Sequence, residues 1–304
     1  MLTLFTTAKP FRGHIGIIQR NALKSWTLLH PGAEVILFGD DEGAREAALD
    51  LGLRHVPHVE RNEHGTKFLA SIFDQAQELA RHERLCYANC DIVLTSDFAH
   101  ALSAVANRFS QFLMVGQRWD TDIRNPIDFD EPEWQVRLRQ QARFANHQRP
   151  PHWIDYFAFS RGLYLRNAPA LVIGRPGWDN WLLWKARASG AAVVDASSAV
   201  LAVHQNHDYS YHPDGEAGVW QGEEAQSNYT LLEGGRCFRT IENATHRLTP
   251  SGFVRNHRHW IVLADRSVRK AAGKLWFGAL AATRPIRHRF GLRRPPETPI
   301  SPSR

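Results

Sequence analysis

The first 120 residues alternate short apolar runs with segments whose apolar residues recur at helical spacing. Glu34 to Phe38 reads EVILF, whereas Ile15, Ile18 and Ala22 lie three or four positions apart. Such alternation predicts an α/β fold in which helices cover a largely parallel sheet. Strands are predicted at 2–5, 34–38, 54–56, 85–88 and 92–94, and helices at 15–26, up to 51, 69–79 and 98–105. Ligands of such sheets bind beyond the carboxyl ends of the strands, so polar residues there are the candidates for function.

The second half of the chain is less regular. Residues 119–153 form a polar, proline-containing stretch with one predicted helix at 133–144, and a stretch of this length favours a functional loop. A helix at 178–189 and strands at 192–195 and 200–203 are predicted after it. The sequence contains neither GxGxxG nor GxxxxGK followed by Ser or Thr, so neither a dinucleotide site nor a P-loop is predicted.

Charge is distributed unevenly along the 304 residues. Residues 250–304 hold 12 of the 37 basic residues and 2 of the 31 acidic ones, which leaves the preceding part slightly acidic. This distribution argues against a nucleic-acid partner, despite the net charge of +6. The three cysteines form no CxxC pair, and the longest apolar run is far shorter than the roughly 20 residues of a membrane span. The N-terminus has no basic region, so we expect a soluble, cytoplasmic protein.

Asn89-Cys90-Asp91 directly follows a predicted strand. A carboxylate at this position would project into the ligand crevice, where Asp91 could bind Mg²⁺ or Mn²⁺ together with substrate phosphates. The alternative is an aspartate that merely caps a turn or a helix.

His204 and His207 follow the apolar run at 200–203. An imidazole nitrogen at a strand end suits Mn²⁺-like or zinc-like ions. The alternative is a histidine-rich surface loop, because the chain contains 16 histidines.

Asp179 opens a predicted helix within the sequence GWDNWL. It either acts as a general base at the rim of the cleft, with Trp178 as a flat platform for a sugar ring, or it stabilises the helix N-terminus. Sequence alone leaves both interpretations open.

Several polar residues at the ends of predicted elements could contact an anion or a nucleotide. Thr6, Thr7 and Lys9 follow the first strand, Asp40 follows the second, and Lys67 opens the third helix. A lysine at a helix N-terminus adds a charge to backbone N–H groups that already favour phosphate. An ordinary solvated lysine is the alternative.

Taken in order, the segments TTAKP, FGDD, GTKF, YANCDIVL, GWDNWL and HQNHDY give residues 1–235 a resemblance to nucleotide-diphospho-sugar transferases of the GT-A fold. The resemblance implies a GT-A-like, Rossmann-type sheet flanked by helices, a nucleotide-sugar donor, and Mn²⁺ or Mg²⁺ as cofactor. In this family the metal-binding motif is usually Asp-x-Asp, and here Asn89 replaces the first aspartate.

The resemblance also implies roles for individual residues. Asp91 and His204 would bind the metal, and Asp179 would be the catalytic base. The predicted donor-binding residues are Thr6, Thr7, Lys9, Asp40, Lys67 and Asn89. The predicted acceptor-binding residues are Asp155, Tyr156, Trp178 and His207. The predicted reaction transfers a sugar to a glycan or lipid-linked acceptor, and the stereochemistry stays open.

Two other functions remain compatible with these motifs. A metal-dependent phosphohydrolase would explain the His/Asp cluster, and a non-catalytic nucleotide-sugar or carbohydrate-binding module would explain the asparagine at position 89. We expect a transferase domain at 1–235, a basic helical extension at 236–294 and a disordered tail at 295–304. The extension combines tryptophan and leucine with arginine, which predicts either packing on the domain or binding to an anionic membrane surface.

Overall fold

A computed structural model describes residues 1–209 and 212–257. The helices are α1 Gly13–Thr27, α2 Ala44–Leu51, α3 Leu69–Leu79, α4 Ser96–Arg108, α5 Trp134–Ala145, α6 Trp178–Ala188, α7 Gly215–Gln221 and α8 Glu223–Leu231, with a 3₁₀ turn at Ile241–Asn243. The strands are β1 Thr3–Thr7, β2 Glu34–Phe38, β3 Arg54–Val56, β4 Arg84–Ala88, β5 Ile92–Leu94, β6 Phe112–Val115, β7 Arg118–Thr121, β8 Tyr156–Ser160, β9 Ala192–Asp195, β10 Ala202–Gln205, β11 His246–Thr249 and β12 Gly252–Arg255.

Nine strands form the central sheet in the order β3-β2-β1-β4-β8-β6-β9-β11-β12. Strand β8 runs antiparallel to β4 and β6, and β12 runs antiparallel to β11, whereas the other neighbours are parallel. This mixed α/β architecture, with helices flanking a large sheet, confirms the predicted fold class.

Each face of the central sheet has its own apolar core. Phe5 and Tyr87 lie in the core that includes α3 and α6, whereas their neighbours Leu4 and Cys86 lie in the core that includes α1 and α4. Neighbouring strand residues point to opposite faces, so strands buried on both sides are apolar throughout. The run EVILF, which forms β2, is therefore buried along its whole length.

A second, three-stranded sheet has the order β5-β10-β7. In its register, His204 on β10 pairs with Ile92 on β5 and with Asp120 on β7. Asp91 directly precedes β5. This small sheet therefore brings Asp91, Asp120 and His204 together from three distant parts of the chain. The sequence pattern predicted His204 just beyond the end of a strand. The structure instead places it within β10.

Residues 236–257 depart from the predicted helical extension. The 3₁₀ turn and strands β11 and β12 lie between residues 241 and 255, and β11 adds to the central sheet beside β9. These strands have four residues each and include charged side chains, so their apolar pattern is weak. The rest of the extension and the tail, with the predicted membrane-binding segment, lie outside the described residues. None of the helices within 1–209 and 212–257 is both long and apolar enough to cross a membrane.

Candidate active site

A cleft of about 1460 Å³ opens at the carboxyl ends of β1 and β4. β1 pairs with β2 on one side and with β4 on the other, so the connections diverge at this point of the sheet. Open α/β sheets bind ligands in the crevice at such a divergence. Thr7 at the end of β1 and Lys9 after it line the cleft, and Asn89 and Asp91 line it after β4.

Asp91, His204 and His207 form a cluster in this cleft, with ligand atoms that all lie within 4.8 Å of one another. The Asp91 Oδ2 atom is 3.2 Å from the His207 Nε2 atom. The other carboxylate oxygen, Oδ1, is buried and accepts no hydrogen bond from any residue that the structure describes. A buried carboxylate oxygen needs a partner, and a divalent cation would supply one. One carboxylate with two imidazoles fits Mn²⁺ better than Mg²⁺, which prefers oxygen ligands.

Each imidazole has an oxygen atom close to its Nδ1 atom. The Nδ1 atom of His204 lies 3.3 Å from Asp120 Oδ1, and the Nδ1 atom of His207 lies 2.7 Å from the Asp208 carbonyl oxygen. Metal-binding histidines are commonly held in this way, with the outer nitrogen facing a carboxylate or carbonyl group. We expected His207 on the acceptor side of the cleft, whereas the structure places it beside Asp91.

The charges around the cluster keep its carboxylate ionised. Burial alone would raise the pKa of Asp91, but the hydrogen bond to His207 and the nearby His204 and Lys9 hold this pKa below its usual range. Burial lowers the pKa of Lys9, whereas the charge of Asp91 opposes that shift. The cluster is therefore a buried site in which negative charge is already stabilised.

Lys67 lines the cleft and contacts the loop that follows β2. Its Nζ atom donates to the Ala8 carbonyl oxygen at 2.9 Å and to the Asp41 carboxylate. Gly39 makes this arrangement possible, since its φ is +101° and a Cβ atom there would lie 2.8 Å from Lys67 Cε. Of the two aspartates in FGDD, Asp41 lines the cleft, whereas the predicted Asp40 has a side chain that is 70% exposed and pairs with Arg61.

The structure places two other predicted residues away from the cleft. Thr6 is buried within β1, where its hydroxyl donates to the Thr7 carbonyl oxygen at 3.2 Å. Tyr156 is buried with its ring 5.7 Å from the ring of Phe98, on the opposite side of the central sheet. Its neighbour Asp155 lines the cleft, because adjacent residues at a strand point to opposite faces.

Asp179 lies in the first turn of α6 and lines the same cleft. Its Oδ1 atom accepts a hydrogen bond from the Gly177 backbone N–H at 3.2 Å. Burial raises the pKa of Asp179 to about 7, and the nearby charge of Asp155 adds to the shift. A carboxyl group that titrates near neutral pH is suited to accept and release protons.

Trp178, the predicted platform, also borders the cleft, but only 5% of its surface is exposed. Its ring packs edge-on against Tyr87 at a centroid distance of 5.2 Å and lies 5.4 Å from Phe157. Most of the indole therefore belongs to the apolar core and leaves little area for a ligand to stack on.

A hydrogen-bonded network that the sequence analysis missed lines the cleft. Asn89 donates to Asp155 Oδ1 at 2.5 Å, and Arg118 donates to Asp155 Oδ2 at 2.8 Å and to Asp120 Oδ1 at 2.9 Å. Arg118 begins β7, and the other residues of this strand fall within the stretch 119–153 that was predicted as a polar loop. The alternation in Arg118-Trp-Asp-Thr could have indicated a strand, although charged residues on its buried face obscure the pattern.

Two tryptophans line the cleft near this network. The guanidinium carbons of Arg118 and Arg149 each lie 4.8 Å from the centre of the Trp153 ring. The rings of Trp153 and Trp220 are 5.2 Å apart, and Trp220 is 38% exposed. Cation–π contacts fix the orientation of an indole, so this part of the cleft presents aromatic surface in a defined position. Sequence could not place Trp220 here, because α7 is distant along the chain.

No model of a protein family matches the chain, and no curated protein matches it either. Among solved structures, S. aureus TarS 1–349 in complex with UDP-GlcNAc is 10% identical, with a TM-score of 0.45 over 68% of this chain and 58% of that one. Glucosyl-3-phosphoglycerate synthase from M. tuberculosis is 14% identical, with a TM-score of 0.45 over 78% of this chain and 80% of that one.

The same M. tuberculosis synthase in complex with Mn²⁺, UDP and phosphoglyceric acid is 15% identical, with a TM-score of 0.42 over 78% of each chain. The match to TarS spans less than two thirds of that fragment. Identities and scores this low leave the activity of the present chain to be argued from its own site.

Proposed function

We propose that this chain is a glycosyltransferase that moves a sugar from a nucleoside-diphosphate sugar to a hydroxyl acceptor, with a divalent ion held by Asp91, His204 and His207. One observation carries the proposal. A cluster suited to a cation shares a single cleft with Asp179, a carboxyl group whose pKa is raised to about 7. The cation cluster is suited to bind a diphosphate, and Asp179 is suited to remove a proton from an attacking hydroxyl.

The donor side of the cleft supports binding of a diphosphate. Lys9 and Lys67 both line it, and the Thr7 hydroxyl is buried there without a hydrogen-bond partner among the described residues. Cations and hydroxyl donors in a partly buried cleft stabilise the charge that develops on a departing nucleoside diphosphate. When bound, a divalent ion would act there as a Lewis acid that neutralises the phosphate oxygens.

Asp179 supplies the proton acceptor in this proposal. As the acceptor oxygen attacks the anomeric carbon, its proton passes to the carboxylate of Asp179, a new C–O bond forms, and the bond to the diphosphate breaks. The raised pKa favours this role, because a base is most effective when its pKa lies near the working pH. A single displacement of this kind inverts the configuration at the anomeric carbon.

The acceptor side favours a neutral carbohydrate. Arg118 and Arg149 carry positive charge, but Asp120 and Asp155 pair with them and balance it. Trp153 and Trp220 add aromatic surface, against which the apolar face of a sugar ring can pack. The proposed acceptor is therefore a glycan hydroxyl, and a lipid carrier attached to that glycan remains a prediction from the sequence.

Donor binding is the first test. The protein is mixed with UDP-, GDP-, CMP- and dTDP-sugars, each with and without Mn²⁺, and its melting temperature is measured. We expect one nucleotide class to raise the melting temperature in the presence of Mn²⁺ only, because a ligand that binds the folded state stabilises it. Asp91→Asn should abolish this response.

Transfer is the second test. With the selected donor and a mixture of oligosaccharide acceptors, we expect release of the nucleoside diphosphate together with a glycosylated product. Hydrolysis of simple phosphomonoesters without sugar transfer would instead identify a phosphohydrolase. Donor binding without turnover of any acceptor would identify a carbohydrate- or nucleotide-binding module.

A further inference from the structure

Lys9 lies beside the same atoms that would bind the divalent ion. Its Nζ atom is 3.1 Å from His207 Nε2 and 3.8 Å from Asp91 Oδ2. A cation coordinated by these two atoms would have to approach them in the region that the ammonium group of Lys9 already borders. Two positive charges at such short separation repel strongly when they are partly buried.

His207 and Asp91 meet at the point that Lys9 borders. The His207 Nε2 atom lies 3.2 Å from Asp91 Oδ2, and the His207 Nδ1 atom lies 2.7 Å from the Asp208 carbonyl oxygen. A buried carboxylate needs a compensating charge, and the ammonium group of Lys9 supplies one beside both side chains.

The backbone of Lys9 is anchored independently of its side chain. The Lys9 N–H donates to Gln19 Oε1 at 2.7 Å, and Gln19 Nε2 donates to the Lys9 carbonyl oxygen at 2.9 Å. Gln19 belongs to α1 and is only 2% exposed. The flexible four-carbon stem of Lys9 can therefore change conformation while its backbone stays in place.

We propose that Lys9 is a resident cation of this site, which compensates Asp91 and His207 until a divalent ion binds and then contacts the donor diphosphate. The inference rests on the proposed function and adds a sequence of events to it. Asp91 and His207 would hold the divalent ion in place of the ammonium group of Lys9, and the donor diphosphate would offer that group new anionic oxygens. Lys9 thus lowers the affinity for the ion alone and raises the affinity for the nucleotide that follows.

The test measures the two affinities separately in Lys9→Met, which keeps most of the length of the side chain and removes its charge. Titration calorimetry with Mn²⁺ alone should show tighter binding than in the wild type, by on the order of tenfold, since a competing positive charge is gone. Titration of UDP into the Mn²⁺-saturated variant should show weaker binding, again by on the order of tenfold, because a charge-assisted contact to phosphate is lost.

The opposite signs of these two changes distinguish the proposal from a structural role. If Lys9 only supports the fold of the cleft, its removal weakens both Mn²⁺ and UDP binding. An unchanged or reduced affinity for Mn²⁺ in Lys9→Met overturns the inference. Lys185→Met is the matched control, because Lys185 is half-buried on α6 and does not line the cleft. Lys9→Gln repeats the measurement if the methionine variant does not fold.

Asp91→Asn separates this inference from the function on which it rests. Loss of Mn²⁺ binding in Asp91→Asn, together with unchanged Mn²⁺ affinity in Lys9→Met, contradicts the role of Lys9 alone. Wild-type Mn²⁺ affinity in Asp91→Asn contradicts the metal site itself. If neither the wild type nor Lys9→Met binds Mn²⁺, both proposals are wrong.

Discussion

His204 on β10 and Asp120 on β7 are paired in the small sheet, and the His204 Nδ1 atom lies 3.3 Å from Asp120 Oδ1. Arg118 and Arg149 hold the Asp120 carboxylate from its other sides. Burial alone would raise the pKa of Asp120, but His204 and the two arginines lower it below its usual range. An ionised carboxylate is therefore held beside an imidazole that belongs to the candidate metal cluster.

Asp120→Asn should weaken Mn²⁺ binding by about 10–100-fold, because the amide orients the imidazole of His204 less strongly than a carboxylate does. Titration calorimetry with Mn²⁺ measures the change. Asp128→Asn is the control, since Asp128 is exposed and does not line the cleft. Equal Mn²⁺ affinities in Asp120→Asn and the control would contradict an orienting role for Asp120.

The loss of metal-dependent binding should be greater when the charged ligand of the candidate metal site is replaced than when a neutral one is. Asp91→Ala removes the anionic ligand and should abolish Mn²⁺-dependent binding of the nucleotide-sugar donor. His204→Ala and His207→Ala each remove a neutral ligand and should weaken the same binding less severely. Electron paramagnetic resonance measures the free Mn²⁺ that remains in solution, and the bound fraction follows by difference. A bound Mn²⁺ fraction in Asp91→Ala equal to that of the wild type would rule out the assigned site.

Asp179→Asn should retain the affinity for the donor but lose transfer by about 10²- to 10⁴-fold, since an amide cannot accept the proton. In the wild type, kcat/KM should rise with pH and level off above about pH 7, as the carboxyl group loses its proton. The rise should be absent from the residual activity of the variant. Transfer at the wild-type rate would leave Asp179 a purely structural role at the start of α6.

The pH dependence of the stability of the substrate-free protein is a second test of the raised pKa of Asp179. Its pKa in the folded state, about 7, lies above the ordinary value of 3.8, so the protonated form is favoured by folding. The associated stabilisation is complete below the ordinary value and is lost as the pH rises through about 7. Relative to the wild type, Asp179→Asn should therefore gain in melting temperature between about pH 4 and about pH 8. A pH-independent difference would contradict the raised pKa.

Gly39→Ala should destabilise the fold and weaken donor binding together. The φ of +101° at position 39 disfavours any residue with a Cβ atom, at a cost of about 1–3 kcal/mol. The added methyl group would also lie 2.7 Å from Asp41 Oδ2 and 2.8 Å from Lys67 Cε. Urea unfolding measures the first effect, and the melting-temperature response to the donor measures the second.

Gly52→Ala is the matched control for position 39. Gly52 ends α2 with a φ of +66°, and a Cβ atom there would meet nothing within 4 Å. The Gly52→Ala variant should lower the free energy of unfolding, because its backbone conformation disfavours a residue with a Cβ atom. It should leave donor binding unchanged. If Gly52→Ala impairs donor binding as much as Gly39→Ala does, the contact between Gly39 and Lys67 is not the cause.

Local sequence patterns determined many of the elements of this protein and part of its candidate site. The structure has strands at the predicted positions 34–38, 54–56 and 192–195, because apolar runs and turn residues act over a few neighbouring positions. The same reasoning predicts that Asp91 lines the cleft, since a polar residue at the end of a buried strand reaches the crevice at the edge of the sheet.

The partners of Asp91 depended on tertiary structure. The register of β10 against β5 and β7 brings His204 to Asp91 and Asp120, which lie 113 and 84 positions away along the chain. The turn at Gly39 decides that Asp41 reaches the cleft and Asp40 does not. Sequence periodicity predicts which face of its own element a side chain occupies, whereas strand pairing and turn geometry decide which distant side chains meet there.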